Sequence, residues 1–135
     1  MTRYYCSCGF IINENNEILL EDHIKNGCLS LPGGKIDLGE SPLKTLKREL
    51  KEELNIDVEE AEELGTLGYT NIEYPIHSDK FCEFNMSVFK VLKYTGTIIN
   101  NEPDKHKSLI WLSKTEAIDH NNLSGMVKDM INLYL

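Results

Sequence analysis

Residues 41–55 read SPLKTLKRELKEELN, a pattern that commits this segment to a helix and obliges the rest of the chain to offer that helix a surface. Ser41 suits the N-cap, and Pro42 suits the first helical position, where its missing N–H has no partner to lose. Leu43, Leu46, Leu50 and Leu54 then recur at helical spacing, so a helix is predicted over Pro42–Leu54 with one apolar stripe. Asn55 takes the position just past the helix end, where positive φ is common and where Asn is the side chain that tolerates it best after Gly.

The surface for that stripe comes from strand-like segments on either side. Residues 4–12 are β-branched, aromatic or small, and the polar cluster 13–16 separates them from Ile18, Leu19 and Leu20, which reads as a β-hairpin. A short apolar piece, 28–31, runs into Pro32, Gly33 and Gly34, where the chain is expected to turn sharply. Longer strands are predicted at 58–74 and 81–94, the second placing Cys82, Phe84, Met86 and Val88 on one face, and a short strand at 109–112. Ser113 with Glu116 forms a capping box, and residues 123–134 form a last helix carrying Met126, Met130, Leu133 and Tyr134. With no repeat, low-complexity tract or linker, residues 1–135 are read as a single domain of α+β class.

Composition narrows the function. The chain has 14 basic and 22 acidic side chains, a formal charge of −8, which opposes binding of a nucleic-acid polymer. A small phosphorylated metabolite remains compatible with that charge if a divalent cation stands between the two. The longest uncharged stretch, residues 4–13, is far short of the ~20 residues that cross a bilayer, and no secretory signal is legible. Cys6, Cys8, Cys28 and Cys82 lack metal-binding spacing and read as thiols of a cytoplasmic protein.

The predicted helix also breaks local rules. With Glu49 at 0° on a helical wheel, Glu52 falls near ~−60° and Glu53 near ~+40°, while the leucines occupy about +60° to +140° and the lysines about 180°. Three carboxylates therefore share one face, with Glu53 at the seam beside the core. Like charges at this spacing oppose each other by about 0.2–0.5 kcal/mol per pair, and acids in a last turn oppose the helix dipole. Oxygen ligands converging on one spot are what a hard cation such as Mg²⁺ requires; the alternative is a solvated acidic face. Arg48 is one of only two arginines, and its rigid fork can grip a carboxylate in two places.

Gly34, Glu40 and the run from Arg48 through Glu49, Leu50, Lys51, Glu52, Glu53, Leu54 and Asn55 to Ile56 resemble the Nudix box, the signature of hydrolases that cleave nucleoside diphosphates linked to another moiety. The one departure is Asn55, where the family usually has Gly. Residues 31–35 resemble the approach to the box, and Glu102 to His106 followed by Trp111, Leu112 and Ser113 resembles small MutT-like members. The resemblance implies the Nudix fold, an α/β/α layered domain with a mixed β-sheet. It implies that Glu52 and Glu53, with the Gly33 carbonyl, ligate Mg²⁺, for which Mn²⁺ can substitute. Glu49 would bind a further metal or orient water, with Arg48 holding Glu49. Gly34 would shape the loop, and Glu40 would be a supporting ligand or hydrogen-bond acceptor.

Other residues stand as open alternatives. Glu102 is an extra metal ligand or a surface acid. Tyr74, His77 and Phe84 are candidate substrate contacts or ordinary packing and solvated groups, His106 a phosphate contact or a solvated loop residue, and Trp111 a core residue rather than a stacking platform. The activity expected is hydrolysis of a nucleoside triphosphate, modified or not, to monophosphate and pyrophosphate by a monomer or homodimer. The alternatives are hydrolysis of ADP-ribose, a sugar nucleotide or a dinucleoside polyphosphate, and a non-catalytic nucleotide sensor.

Overall fold

A computed structural model describes residues 2–73 and 81–135. In chain order the elements are β1 (Thr2–Phe10), β2 (Glu17–His23), β3 (Leu29–Ser30), β4 (Gly33–Lys35), α1 (Pro42–Leu54), β5 (Asp57–Glu73), β6 (Phe81–Thr95), β7 (His106–Ser113), α2 (Lys114–Asp119) and α3 (Gly125–Tyr134). Their pairing builds two sheets. One has the order β4-β1-β6-β5 and is mixed, because β1 runs parallel to β6 and antiparallel to β4; the other is antiparallel, β3-β2-β7.

The expected hairpin is only its turn. Asn13 Oδ1 accepts from the N–H groups of Asn15 and Glu17, and Ile12 bridges to Ile18, so the polar cluster does reverse the chain. Beyond that bridge β1 and β2 part and join different sheets. Turn chemistry is local and says nothing about which partner a strand takes afterwards. Gly33 and Gly34 likewise lie in a strand rather than in a bare turn, paired with Cys8 and Ser7.

The apolar alternation explains the layers. In β2, Ile18 and Leu20 enter one core with Phe10, Val88, Met130 and Ile131, whereas Leu19 enters the other with Ile11, Phe89, Leu46, Leu50 and Leu54. Strands buried on both faces read as unbroken apolar runs, and this one carries α1 on one side and α2 with α3 on the other. Leu46, Leu50 and Leu54 are fully buried, each contributing about 1.5–3 kcal/mol relative to exposure. Leu43, expected in the stripe, is partly exposed at its edge, and Thr45 is buried instead. The helix starts where predicted, with Ser41 Oγ accepting from the Lys44 N–H at 3.1 Å. It ends at Asn55 with φ 59°, whose N–H closes on the Lys51 carbonyl. Ser113 and Glu116 form the full capping box of α2, and the last helix begins at Gly125.

Candidate functional site

Gly33 and Gly34 bring strand β4 against the last two turns of α1. At Gly33, φ is 152° and a Cβ would lie 2.6 Å from Cys8 Cα, so only glycine fits. At Gly34 a Cβ would lie 2.5 Å from the Glu49 carboxyl carbon, so the missing side chain is the space that this carboxylate fills. The Gly33 N–H donates to Glu53 Oε2 at 3.2 Å. Two residues without side chains thus bring backbone up to two of the three glutamates.

Arg48 organises the outer edge. Its Nε donates to Glu40 Oε2 at 2.8 Å and its Nη2 to Glu40 Oε1 at 2.9 Å, a two-point grip, while Nη1 donates to Glu49 Oε1 at 3.0 Å and, more weakly, to Glu52 at 3.4 Å. Glu40 also accepts from Thr45 Oγ1 and the Asp37 N–H. These bonds hold its carboxyl down at about 2, chiefly through the Arg48 guanidinium. With its oxygens so occupied, Glu40 acts as a hydrogen-bond acceptor that fixes Arg48. The arginine's firmest grip is therefore on Glu40 rather than on Glu49.

Inward the character changes. Glu53 is 2% exposed, whereas the Glu52 side chain remains 50% exposed and faces solvent. Burial, then the nearby Glu21 carboxylate, raises the Glu53 carboxyl well above its ordinary value, and burial raises Glu49 as well. Glu21, on β2, is fully buried and pushed up to about 7, chiefly by burial. Two carboxylates pressed together this way have no donor to share unless one keeps a proton. His106, on β7, is 2% exposed, its Nε2 lying 3.4 Å from Glu21 Oε1 and 3.7 Å from Glu53 Oε1. Glu53, Glu102 and His106 each offer a ligand atom within 4.8 Å of the others. Glu102 sits in the turn before β7, where its carbonyl accepts from the His106 N–H and its carboxylate pairs with Lys105.

Such a set suits a divalent cation: mostly carboxylate oxygens, converging and largely dry, with no N–H or hydroxyl donor among the described residues bonded to either Glu21 oxygen. The sequence reading missed Glu21, an acid at the end of an apolar strand that reads as the strand's polar edge. It offered His106 only as a solvated loop residue or a phosphate contact, because the strand containing it extends beyond the apolar residues 109–112.

A cleft of about 820 Å³ opens beside this cluster. Cys6, Cys8, Gly33, Gly34, Phe84 and Met86 form one wall, and Leu123, Met126 and Lys128 form part of the other. Phe84 is buried and stacked on Tyr4 with ring centroids 5.0 Å apart. Tyr74 and His77 lie outside the described residues. Trp111 is partly buried against the core beneath α1.

The NUDIX domain family model matches residues 4–133. An 8-oxo-dGTP diphosphatase of Escherichia coli K12 is 43% identical over 61 residues, which is 42% of this chain and 46% of that protein. An RNA pyrophosphohydrolase of Ruthia magnifica is 40% identical over 57 residues, 42% of this chain and 32% of that protein. The chain thus spans less than half the length of these curated relatives. Over nearly the whole chain the fold is similar to that of a MutT NUDIX hydrolase from Burkholderia pseudomallei, with a TM-score of 0.80, 23% identity and 98% of each chain covered. A MutT protein from Methanosarcina mazei superposes with a TM-score of 0.81 at 20% identity, over 98% of this chain and 93% of that one. With the family model reaching from β1 into α3 and the box glutamates gathered against Gly33 and Gly34, which line the cleft, this chain belongs to the NUDIX domain family.

Proposed function

We propose that this protein is a metal-dependent pyrophosphohydrolase of small nucleotides. Its substrate would be a nucleoside triphosphate, cleaved to the monophosphate and pyrophosphate. The observation that carries this reading is the buried meeting of Glu53, Glu21 and His106 beside Glu49 at the edge of a cleft large enough for a nucleotide. Glu49, Glu52, Glu53 and Glu102, with the Gly33 carbonyl, would hold Mg²⁺, or Mn²⁺ in its place. When bound, the cation neutralises phosphate charge and lowers the pKa of a coordinated water.

The remaining work falls to the chain's own side chains. Arg48, anchored by Glu40, holds one oxygen of Glu49 and leaves the other to orient water or receive its proton. The apolar wall of Cys8, Phe84 and Met86 excludes water from the base, so that the base is read inside the cleft. The names of the curated relatives support a nucleotide diphosphate as the scissile group, the charge of −8 favours a small substrate over a polymer, and the free thiols suit a cytoplasmic protein. None of the described helices is long and apolar enough to cross a membrane.

Product analysis tests this directly. Purified protein with Mg²⁺ is expected to turn nucleoside triphosphates, ordinary or oxidised, into monophosphate and pyrophosphate, and chelation should abolish the reaction. Release of inorganic phosphate alone, or a preference for ADP-ribose, a dinucleoside polyphosphate or 5′-triphosphorylated RNA, would overturn the substrate assignment. Tight nucleotide binding without turnover would overturn the enzyme assignment.

A further inference from the structure

Strand β2 pairs with β7 in regular register up to Asp22 and Ser108, and then the register shifts so that His23 faces His106 rather than Lys107. This bulge exchanges a lysine for a histidine on the inner face. Bulges re-aim side chains in this way, and here the result is a compact group. Glu21 Oε1 lies 3.4 Å from His106 Nε2 and 3.8 Å from His23 Nε2. The two imidazole rings meet edge to face with centroids 4.7 Å apart. Glu21, His23 and His106 each present a ligand atom within 4.8 Å of the other two. Glu21 is fully buried, and no N–H or hydroxyl group among the described residues donates to either of its oxygens.

We propose that Glu21, His23 and His106 form a second cation site, behind the carboxylate site, that takes a borderline transition metal such as Co²⁺ or Zn²⁺ in preference to Mg²⁺. The donor set is the first argument. Two imidazole nitrogens and one carboxylate suit borderline metals, whereas Mg²⁺ prefers oxygen and keeps several waters. Spacing is the second. Ligands ~2.1 Å from a tetrahedral ion lie about 3.4 Å from one another, and the Glu21 to His106 separation matches this while being too long for a good hydrogen bond. The third is access: His23 is partly exposed on the wall of the cleft and gives the site an open side, while His106 and Glu21 close the other. His106 Nε2 is also 3.7 Å from Glu53 Oε1, so the two sites share a wall. The site rests on these three side chains and needs no turnover to be tested.

The test uses the full chain freed of metal, titrated separately with Co²⁺ and with Mg²⁺ by calorimetry. Histidine ring protons are followed by NMR in the presence of Co²⁺. Wild type is expected to bind Co²⁺ with two histidine rings shifted by the paramagnetic ion. His23→Ala should weaken Co²⁺ by about tenfold or more while Mg²⁺ affinity stays within about twofold. His23→Phe keeps a ring packed on His106 and should show the same selective loss if His23→Ala folds poorly. Equal Co²⁺ affinity in wild type and the folded variant, equal losses for both metals, or Co²⁺ binding without histidine shifts would each overturn the site.

Discussion

At the scale of single residues, the site depends on side chains that are missing as much as on those present. A Cβ at Gly34 would sit 2.5 Å from the Glu49 carboxyl carbon, and the flexible Glu49 side chain would have to move aside. Gly34→Ala is therefore expected to fold normally but to lose turnover by about 100-fold, since a misplacement of ~1 Å is enough to cost that much. Steady-state kinetics beside a thermal melt separate the two effects. Glu53→Gln replaces a buried carboxyl that burial and the neighbouring Glu21 and Glu49 make costly to ionise with a neutral amide. Its turnover should fall by ~100-fold or more while metal-free protein melts at a higher temperature than wild type, and Lys51→Gln, paired on the far face with Asp57, should change neither. A variant that is both inactive and less stable would show that Glu53 is a structural anchor. Glu52, half exposed, keeps its carboxylate in solvent at the rim of this group. The wheel had already set Glu53 at the edge of the leucines; its depth came from Glu21 and His106, which local periodicity cannot reveal.

At the scale of elements, α1 was the most legible part of the chain, because cap, periodicity and stop signal all agree over one continuous segment. Asn55 at φ 59° is the stop, and Asn55→Ala should destabilise the protein by about 1 kcal/mol in urea unfolding, the penalty of placing an ordinary side chain there. What the sequence left hidden was pairing between distant segments. The turn at 13–16 was readable, but not that β1 would run beside β6 and β2 beside β7. Nor was the shift of register that brings His106 inward. Such choices are made by surfaces that meet only after the chain has folded. The loop before α1 is tied to the helix by Glu40, whose carboxyl falls from an ordinary 4.5 to about 2. A depressed carboxylate contributes stability above its unfolded pKa and loses it as pH falls through the folded one. Glu40→Gln should therefore melt lower than wild type at pH 7, with the gap closing between pH 4.5 and 2.

At the scale of the whole molecule, the acidic cluster sets how stability responds to acid and to metal. Glu21 is raised to about 7 by burial, so in the folded protein it keeps a proton that the unfolded chain has already released. Its contribution therefore favours folding below pH 4.5 and is lost as pH rises toward 7. Metal-free protein should show this decline in chemical unfolding, and a divalent cation that takes the place of the proton should reverse it. The two sheets add a mechanical side to the same chemistry. Glu21 and His106 come from the three-stranded sheet, whereas Glu53 hangs from the helix laid against the four-stranded one, where the Gly33 N–H holds it, and His106 Nε2 meets Glu53 Oε1 across the seam at 3.7 Å. A cation held by Glu53, Glu102 and His106 would act as a rivet across the seam. Amide hydrogen exchange in β2 and β7 should slow together with that in β4 when metal is added, leaving the outer end of β5 unchanged. Filling the site would then stiffen the joint between the two sheets in the same event that readies it for substrate.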